Sequence, residues 1–346
     1  MENGKKIRVA INGFGRIGRA FLKVSLEKPE LEVVAVNDLT SIENIAYLLK
    51  YDTAYRTSKF DVKVKNPTTL SIDGRDVAYV SEKDATKLPW KQHDIDVVVE
   101  STGLFTEFAK AKVHIDAGAK KVVITAPTKD DPIADVASGT FLLGVNNKGM
   151  NKCVITSNAS CTTNAASPLI AILHEEIGIE KALLNTTHGY TASQALVDGP
   201  SKKDFREGRA AAMNLVPSST GAAIAVAKVI PDLMNKFDGI SVRVPVVTGS
   251  IVDVTFIAKR DTTKEEVNAI LKKAAGEERW MRTFSVTEEQ LVSSDIIGSK
   301  YASIADLNFT RVVGGNLVKV LAWYDNEMGY THSLVEHVIE LTEGMR

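Results

Sequence analysis

A glycine-rich segment near the amino terminus constrains the fold of this chain more than any other feature. Gly13, Gly15 and Gly18 form a G-x-G-x-x-G pattern between the apolar run 7–12 (IRVAIN) and residues 16–26, where apolar side chains recur every three or four positions. A strand, a tight turn and an amphipathic helix in this order predict a dinucleotide-binding βαβ unit. The first glycine permits the turn, the second lets a pyrophosphate approach the backbone, and the third lets helix and strand pack closely.

An acidic residue stands where such a unit binds ribose. Asp38 lies 20 residues after Gly18, just beyond the second apolar run, 31–36 (LEVVAV). A carboxylate there hydrogen-bonds the adenosine ribose and repels a 2′-phosphate, so the pattern favours NAD over NADP. The simpler alternative is an ordinary strand–turn–helix with an exposed aspartate. Against it, the strand, the glycines, the helix and the carboxylate all occur in the order and spacing of a dinucleotide-binding unit.

The two halves of the chain have different patterns. Up to about residue 160, apolar strand candidates alternate with amphipathic helices, which predicts a parallel sheet covered on both faces. Later strand candidates are longer, and Val252, Val254 and Phe256 alternate with polar residues, as in a half-solvated antiparallel sheet. With 346 residues the chain is expected to form about two domains. We predict an α/β fold: a Rossmann-type doubly wound parallel sheet domain, plus an α+β catalytic domain with a mainly antiparallel sheet.

The remaining predicted elements follow from the same periodicities. Helices are predicted at 41–50, 108–117, 161–177, 263–276 and 330–341. Pro168 is expected to kink the third of them or to mark a late start, and Thr263 with Glu266 forms a capping box at the fourth. Strands are predicted at 97–99, 122–125, 182–187, 240–247, 250–258 and 317–324. The stretch 191–217, rich in Gly, Ala, Ser and charged residues, is expected to be a functional loop or to pack on a partner.

Composition excludes several classes of protein. Lys plus Arg is 42 and Asp plus Glu is 43, so the net charge of −1 argues against nucleic acid as a primary partner. No run of 18 apolar residues and no signal-peptide pattern is visible, so we expect neither a membrane span nor secretion. Two cysteines are too few for a disulfide framework and favour a reducing, cytoplasmic location. The scattered histidines give no zinc spacing, so no metal site is expected.

Cys161 is the candidate nucleophile. It stands in the segment SNASCTTN (157–164), after a predicted strand and at the start of a predicted helix. The helix dipole and the unpaired N–H groups there lower the pKa of a thiol, and the thiolate is the reactive form. The hydroxyls of Ser160, Thr162 and Thr163 could cap the helix or bind an oxyanion. Most lone cysteines are small buried hydrophobes, and we assign Cys153 to that class.

His188 is the candidate acid/base partner, because it ends an apolar strand in NTTHGYT (185–191). A structural histidine is the commoner interpretation of any single His, and the sequence alone does not show that His188 and Cys161 touch. A nucleotide fold with a candidate thiolate suggests one chemistry: the thiolate adds to an aldehyde, the hemithioacetal gives a hydride to NAD, and a thioester remains.

These motifs resemble phosphorylating glyceraldehyde-3-phosphate dehydrogenase over essentially the whole chain. They occur in the family's order and spacing, and the octet around Cys161 is the most specific of them: INGFGRIGR (11–19), VNDL (36–39), STG (101–103), SNASCTTN (157–164), DGP (198–200), PSSTGAA (217–223), RVP (243–245) and WYDNEMGY (323–330).

The resemblance implies roles for individual residues. Cys161 is similar to the family's nucleophile and His188 to its acid/base. Asn326 matches the residue that holds the nicotinamide carboxamide, and Thr191 and Arg243 match the site for the substrate's C3 phosphate. The attacking inorganic phosphate would be held by Ser160, Thr162, Thr220 and Gly221. The remaining cofactor contacts implied are Gly13, Phe14, Gly15, Arg16, Ile17, Asp38, Lys83, Ser101, Thr102, Gly103, Thr125 and Tyr330.

The resemblance also implies an assembly and a domain division. The family's S-shaped loop matches 191–217 and lies at a homotetramer interface, and Pro200 matches the NAD-selective pattern. The expected domains are 1–160 with 326–346 for NAD binding and 161–325 for catalysis.

This chain departs from the family pattern at several positions. Ala165 replaces a second cysteine, which removes a local disulfide partner. Glu207 and Ser193 stand where many bacterial-type members carry an arginine and an acid. We expect Glu207 to face solvent or Arg209, leaving Arg206 or Arg209 to assist phosphate binding. The segment 51–60 (YDTAYRTSKF) is altered and longer than usual.

The expected reaction converts glyceraldehyde 3-phosphate, NAD⁺ and inorganic phosphate to 1,3-bisphosphoglycerate and NADH. A dehydrogenase of another phosphorylated aldehyde, such as erythrose 4-phosphate, is the first alternative, because Glu207 and Ser193 depart from the pattern. The second is a binding protein that senses NAD or the redox state of Cys161.

Overall fold

The computed structural model describes residues 5–202 and 204–345, and contacts divide them into two units. The first unit comprises the described residues up to Phe141, then Asn147–Ala159 and those from Leu334 onward. The second comprises Leu142–Asn146 and Ser160–Ser333. Within the described ranges, no helix is long and apolar enough to cross a membrane.

The first unit is built on a mostly parallel sheet. Its strands are β1 (Ile7–Asn12), β2 (Leu31–Asn37), β5 (Val62–Asn66), β6 (Thr69–Ile72), β7 (Arg75–Val80), β8 (Val97–Glu100), β9 (Lys121–Ile124), β10 (Ser138–Thr140) and β11 (Ile155–Ser157). They lie in the order β10-β11-β9-β8-β1-β2-β7-β6-β5. All neighbours pair in parallel from β10 to β7, whereas β7, β6 and β5 form an antiparallel meander at one edge. A separate hairpin joins β3 (Tyr51–Asp52) and β4 (Arg56–Thr57).

The helices of this unit are α1 (Arg16–Ser25), α2 (Ile42–Lys50), α3 (Phe108–Ala111) and α4 (Val113–Asp116). Gly18 shows why α1 needs glycine, since a Cβ there would lie 2.3 Å from the carbonyl oxygen of Gly13 and 3.1 Å from the Ile11 side chain. The close approach of α1 to β1 therefore depends on the missing side chain.

The second unit contains a mainly antiparallel sheet. Its strands are β12 (Ile179–Gly189), β13 (Val216–Ser219), β14 (Phe237–Val244), β15 (Ser250–Ala258), β16 (Phe284–Thr287), β17 (Ser303–Asp306), β18 (Arg311–Val313) and β19 (Leu317–Tyr324). The order is β13-β14-β12-β15-β19-β17-β16, with β18 paired to β19. Two pairs, β12 with β14 and β16 with β17, are parallel, and the others are antiparallel.

The helices α5 (Cys161–Ile177), α6 (Ala222–Val229), α7 (Lys264–Ala275) and α8 (Met328–Leu341) complete the order of elements. One apolar core of the second unit includes α5 side chains such as Leu169 and Leu173, together with Val254 of β15 and Val320 of β19. Short 3₁₀ turns occur at Ala85–Lys87, Met150–Lys152, Phe205–Gly208, Ala211–Met213, Pro231–Leu233, Ser293–Ile296 and Leu307–Phe309.

The predicted fold class is confirmed, with a mostly parallel sheet followed by a mainly antiparallel one. Three details differ. The predicted helix at 108–117 is two short helices that meet at Lys112. Helix α5 begins at Cys161 and continues through Pro168, so the proline does not mark a late start, and the kink stays a prediction. Thr263 caps α7 by accepting from Glu266 N, as one half of the predicted capping box requires. The Glu266 carboxylate accepts from Arg260 and Thr262 instead of completing the other half of the box.

Replacing Gly18 by alanine tests the close approach of α1 and β1. We expect Gly18→Ala to lower the free energy of unfolding by about 1–3 kcal/mol, the usual cost of overpacking. Gly15→Ala is the matched control, since a Cβ at Gly15 meets nothing within 4 Å, and we expect a change within about 0.5 kcal/mol. Urea unfolding midpoints measure both, and equal midpoints for the two variants would contradict the packing argument.

Candidate active site

The glycine turn of the first unit leaves room for a ligand at its backbone. Gly13 adopts a positive φ of 89°, and a Cβ there would lie 2.7 Å from the backbone nitrogen of Thr102. Ser101 Oγ donates to the carbonyl of Gly13 at 2.6 Å and so ties the turn to β8. Gly15 is the N-cap of α1 and supplies no side-chain cap. The helix N-terminus therefore keeps backbone donors for an anion, in open space that a larger residue would fill.

Asp38 lies at the end of β2 beside this turn. Its Oδ2 accepts from Phe14 N at 2.9 Å and its Oδ1 from Thr40 N at 3.0 Å, so the carboxylate is fixed but remains partly exposed. A cavity of about 380 Å³ lies in this unit. Its lining includes Gly13, Gly15, Asp38, Lys83, Ser101 and Thr102. A carboxylate for ribose next to a helix N-terminus for phosphate is a donor set that fits a dinucleotide.

Other predicted cofactor residues lie around this cavity or near it. Arg16 and Ile17 open α1, Gly103 is exposed with a φ of 74°, and Thr125 follows β9 with its N–H bonded to the Glu100 carbonyl at 3.0 Å. Phe14 is fully buried, so its backbone N–H rather than its ring is available to the Asp38 site.

A buried acidic network beneath the cavity was not predicted. Glu100 is 1% exposed, and its carboxylate accepts from Asn12 Nδ2 at 2.7 Å, from Thr102 N at 2.8 Å and from the Thr102 hydroxyl. His114 Nε2 lies 2.9 Å from Glu100, while Trp90 Nε1 donates to His114 Nδ1 at 3.2 Å. Since the indole N–H only donates, Nδ1 accepts and Nε2–H donates to the carboxylate. The histidine thus donates to the buried carboxylate, which in turn holds Thr102 in place.

The unusual segment 51–60 forms the β3–β4 hairpin. Asp52 accepts from Arg16 Nη1 at 2.6 Å and from the N–H groups of Ala54 and Tyr55. Burial raises the pKa of Asp52, but the backbone bonds and Arg16 outweigh this and hold it below its usual value. The hairpin therefore anchors Arg16, which is one of the predicted cofactor residues.

Cys161 is the first residue of α5, as the sequence predicts. Ser160 is the N-cap, and its Oγ accepts from Thr163 N at 3.1 Å, which fixes the start of the helix. Cys161 keeps some solvent exposure, yet the protein around the thiol is dense. Burial raises the pKa of Cys161, while Arg243 and the Thr162 donors act in the lowering direction without reversing it. The expected lowering of this pKa is therefore not found, because burial outweighs the helix N-terminus.

His188 lies within hydrogen-bond reach of the thiol. Its Nε2 is 3.4 Å from Cys161 Sγ, and its Nδ1 lies 2.6 Å from both the Gly189 carbonyl oxygen and Arg243 Nη1. Burial, followed by the charge of Arg243, lowers the pKa of His188 to about 3, against the opposing effect of the Gly189 carbonyl. Burial therefore opposes charge on both the thiol and the imidazole.

The register of the second sheet places the predicted anion-binding residues in two groups. Arg243 is directly opposite His188 in the β12–β14 pair, and Thr191 follows the end of β12. Thr220 and Gly221 follow β13, whose last residue, Ser219, pairs with Ile240. Ile240 precedes Arg243 by three positions, roughly 10 Å along a strand. The two groups are thus far enough apart to serve two different phosphates.

Tyr324 is a residue that sequence reasoning missed. It is buried below the pair, with its ring centroid 5.9 Å from that of His188. Its hydroxyl lies 2.9 Å from Thr162 Oγ1 and 2.8 Å from Thr186 Oγ1. Burial raises the pKa of Tyr324, so the phenol stays neutral. The Thr162 hydroxyl is therefore hydrogen-bonded to Tyr324. The group that Thr162 contributes at the N-terminus of α5 is its backbone N–H.

Asn326 has a fixed amide orientation. Its Oδ1 accepts from Ser250 Oγ at 2.8 Å and from Thr248 Oγ1 at 3.1 Å. Ser250 Oγ also accepts from Gly189 N at 3.1 Å, which links Asn326 to the residue after the candidate base. The buried Asp325 carboxylate accepts from Thr248 Oγ1 at 2.9 Å. These bonds occupy the amide oxygen and leave Nδ2 as the group that can donate to a carboxamide. No sequence motif would have identified Ser250 or Thr248 as hydrogen-bond partners of Asn326.

Tyr330, another predicted cofactor residue, is buried in the first turn of α8.

The positions that depart from the family pattern are also defined by the structure. Glu207 does not pair with Arg209: it accepts from Ser218 Oγ at 3.2 Å. Arg209 and Arg206 pair instead with aspartates, Asp198 and Asp204 respectively, at 2.9 and 2.7 Å. Because each arginine is paired with an aspartate, neither is held toward an anion site. Ser193 Oγ lies 3.0 Å from Thr191 Oγ1 and helps to orient it.

Comparison with known proteins gives one consistent result. A family model described as the glyceraldehyde 3-phosphate dehydrogenase NAD binding domain matches residues 7–108, and the C-terminal domain of the same family matches 160–326. The chain is 46% identical over 336 residues to glyceraldehyde-3-phosphate dehydrogenase 1 of Kluyveromyces lactis, covering 96% of this chain and 99% of that protein. It is 46% identical over 333 residues to glyceraldehyde-3-phosphate dehydrogenase of Clostridium pasteurianum, covering 95% and 96%.

The raised pKa of Cys161 predicts the pH dependence of thiol alkylation. Because the pKa of Cys161 lies above the usual value of about 8.5, we expect the rate with iodoacetamide to rise steadily through and beyond that pH. Cys153→Ser removes the other cysteine, and glutathione is the reference thiol, which should react faster near neutral pH. A rate plateau extending from acidic to neutral pH would reveal a preformed thiolate–imidazolium pair and contradict this description.

Proposed function

Because the chain belongs to the glyceraldehyde-3-phosphate dehydrogenase family, we propose that it oxidises D-glyceraldehyde 3-phosphate with NAD⁺ and inorganic phosphate, giving 1,3-bisphosphoglycerate and NADH. The single observation that carries this proposal is the 3.4 Å contact between Cys161 Sγ and His188 Nε2 at the start of a helix. A nucleophile and a base in reach of each other are what acyl transfer through a cysteine requires.

The chain's own residues account for each proton. Cys161 attacks the aldehyde carbon while His188 takes the thiol proton. His188 then returns this proton to the resulting alkoxide, which gives the hemithioacetal and leaves the imidazole neutral. Bound NAD⁺ supplies the hydride acceptor. His188 accepts the hydroxyl proton as the hemithioacetal is oxidised, which leaves a thioester on Cys161. Inorganic phosphate then attacks the thioester carbonyl, the acyl phosphate leaves, and the sulfur departs as a thiolate.

Separate anion sites serve the two phosphates of this reaction. Arg243 and Thr191 are proposed to bind the C3 phosphate of the aldehyde, since a guanidinium and a hydroxyl suit a dianion. Inorganic phosphate is assigned to Ser160 and Thr162 at the start of α5 and to Thr220 and Gly221, which immediately precede α6.

The residues proposed to bind the cofactor have distinct roles. Asp38 would hold the adenosine ribose, and the α1 N-terminus the pyrophosphate. Asn326 would donate through Nδ2 to the nicotinamide carboxamide, with Tyr330 nearby. The others proposed are Gly13, Phe14, Gly15, Arg16, Ile17, Lys83, Ser101, Thr102, Gly103 and Thr125. Residues 1–160 and 326–346 would form the NAD-binding domain, and 161–325 the catalytic domain.

A homotetramer in the cytoplasm is the proposed working form. The second sheet carries apolar side chains in solvent: Leu183 is 67% exposed and Ile240 57%. Ile224 and Met234 are exposed beside a cavity of about 780 Å³ that Leu183 also lines. Single exposed apolar residues are common, but a group of this kind is typical of a protein interface, and a second copy of the chain is the occupant we propose.

Loss of the nucleophile tests the reaction. Cys161→Ala should reduce NADH formation from glyceraldehyde 3-phosphate by at least about a thousandfold, because no thioester can form. Wild-type turnover should require phosphate or arsenate, and Cys153→Ala is the matched control with near-wild-type rates. Turnover by Cys161→Ala, or wild-type turnover that ignores the oxyanion, would overturn the proposed function.

Introducing a charged residue among the exposed apolar side chains of the second sheet tests the proposed assembly. Leu183→Asp should shift the sedimenting species toward lower mass, since an unpaired carboxylate in a buried interface is strongly unfavourable. Met281→Asp, at another exposed apolar position of the same unit, should leave the mass unchanged. A wild-type protein that sediments as a monomer at micromolar concentration would contradict the assembly.

A further inference from the structure

A carboxylic acid is buried at the end of β8, a strand that is otherwise aliphatic. Val97, Val98 and Val99 are fully buried, and Glu100, the last residue of the strand, is 1% exposed. An aliphatic side chain would fill such a position at no polar cost, whereas a buried carboxyl group is unfavourable unless hydrogen bonds compensate it. The residues that Glu100 binds therefore indicate why an acid stands here.

Four hydrogen-bond donors converge on Glu100. Its Oε1 accepts from the backbone N–H of Thr102 at 2.8 Å and from the Thr102 hydroxyl. Its Oε2 accepts from Asn12 Nδ2 at 2.7 Å and lies 2.9 Å from His114 Nε2. Because Trp90 Nε1 can only donate, His114 Nδ1 accepts from it and Nε2–H is the donor to Glu100. Each oxygen of Glu100 thus accepts two hydrogen bonds.

The hydrogen bonds continue from Asn12 to the end of a second strand. Asn37, the last residue of β2, donates through Nδ2 to Asn12 Oδ1 at 2.8 Å. Asn37 Oδ1 accepts from the backbone N–H of Glu82 at 2.9 Å, and Asn37 Nδ2 also donates to the Glu82 carbonyl at 3.0 Å. The last residues of β1, β2 and β8 are therefore joined in one network of buried side chains that includes Glu100.

This network borders the proposed cofactor site. Four of the residues that it joins line the cavity of about 380 Å³ beside the glycine turn: Asn12, Asn37, Glu82 and Thr102. Thr102 lies close against that turn, since a Cβ on Gly13 would be 2.7 Å from Thr102 N. The Thr102 hydroxyl also accepts from the backbone N–H of Leu104 at 3.0 Å. Buried hydrogen-bond networks rigidify the groups that they join, so Glu100 holds groups that face a ligand.

We propose that Glu100 is a positioning residue for NAD⁺: it fixes Thr102 and, through Asn12, the ends of β1 and β2 in the arrangement that the dinucleotide contacts. This inference rests on the proposed function, in which this cavity binds NAD⁺. Because Glu100 is almost completely buried, it acts through the residues that it binds rather than by touching the ligand. Its role thus differs from that of Asp38, which is proposed to bind the ribose directly.

Exchanging one oxygen of Glu100 for nitrogen tests the proposal with little change in shape. Glu100→Gln keeps the size of the side chain, but in either orientation of the amide one pair of donors faces an NH₂ group. We expect the dissociation constant of NAD⁺, measured by titration calorimetry, to rise at least about tenfold, because buried donors left without an acceptor disturb the site. The KM for NAD⁺ should rise by the same factor, with kcat at saturating NAD⁺ nearly unchanged.

Asp96 provides a matched control at the other end of the same strand. It directly precedes β8, is 2% exposed, and accepts from Arg8 N at 2.9 Å and from Lys120 Nζ at 2.7 Å. It precedes Glu100 by four positions, roughly 13 Å along a strand. Asp96→Asn makes the same exchange in a buried carboxyl group, and it should leave the dissociation constant of NAD⁺ within about twofold of the wild-type value.

Thermal unfolding of both variants separates positioning from stability. If Glu100→Gln is less stable than the wild type but binds NAD⁺ equally well, Glu100 has a structural role alone and the proposal is overturned. An equal loss of affinity in Asp96→Asn also overturns it, because the effect would then not depend on contact with Thr102 and Asn12.

If Glu100→Gln does not fold, substitutions of His114 provide the test. His114→Gln keeps an N–H donor for Glu100, whereas His114→Met fills a similar volume without one. We expect the dissociation constant of NAD⁺ to be at least about threefold higher for the methionine variant than for the glutamine variant, since one hydrogen bond to Glu100 is lost. Equal dissociation constants for the two would overturn the proposal.

The same titrations distinguish this inference from the proposed function. Wild-type protein that does not bind NAD⁺ contradicts the proposed function itself, and the role of Glu100 falls with it. Wild-type binding that Glu100→Gln fully retains overturns the role of Glu100 and leaves the proposed function in place.

Discussion

The catalytic chemistry depends on one contact, that between the Cys161 thiol and the His188 imidazole, and two backbone features fix it. The first is the start of α5, where the Ser160 side chain caps the helix and makes Cys161 its first residue. The second is β12, held between β14 and β15, which delivers His188 near the strand end. Neither side chain needs to be flexible, because rigid elements already bring sulfur and nitrogen to 3.4 Å.

Burial affects which charge states the Cys161 and His188 side chains favour. A dry environment disfavours both the thiolate and the imidazolium, and for the thiol this effect outweighs the helix N-terminus beside it. Arg243 is the nearby charge that acts on both members in opposite senses: it favours the thiolate and disfavours the imidazolium. The charge balance of the pair is therefore sensitive to this one guanidinium.

Much of this arrangement could be predicted from the sequence. Glycine spacing, strand alternation and the apolar face of α1 are local patterns, so the early strands and helices and the start of α5 agree with expectation within a few residues. The meander β5–β7 was missed because β5, VKVKN, is largely exposed and lacks a buried face. The pKa of Cys161 was predicted in the wrong direction because the helix start is visible in the sequence, whereas the density of protein around the thiol is tertiary. Tyr324, Ser250 and Glu100 were missed for the same reason: their partners Thr162, Asn326 and Asn12 lie far away in the chain.

The most direct test of the account is to find the acyl group on the enzyme. Wild-type protein mixed with glyceraldehyde 3-phosphate and NAD⁺ in the absence of phosphate, then quenched in acid and digested, should carry the glyceryl phosphate thioester on the peptide containing Cys161. Adding phosphate before the quench should remove that mass. An adduct on Cys153, or NADH formation with no adduct on either cysteine, would contradict the central role of the Cys161–His188 contact.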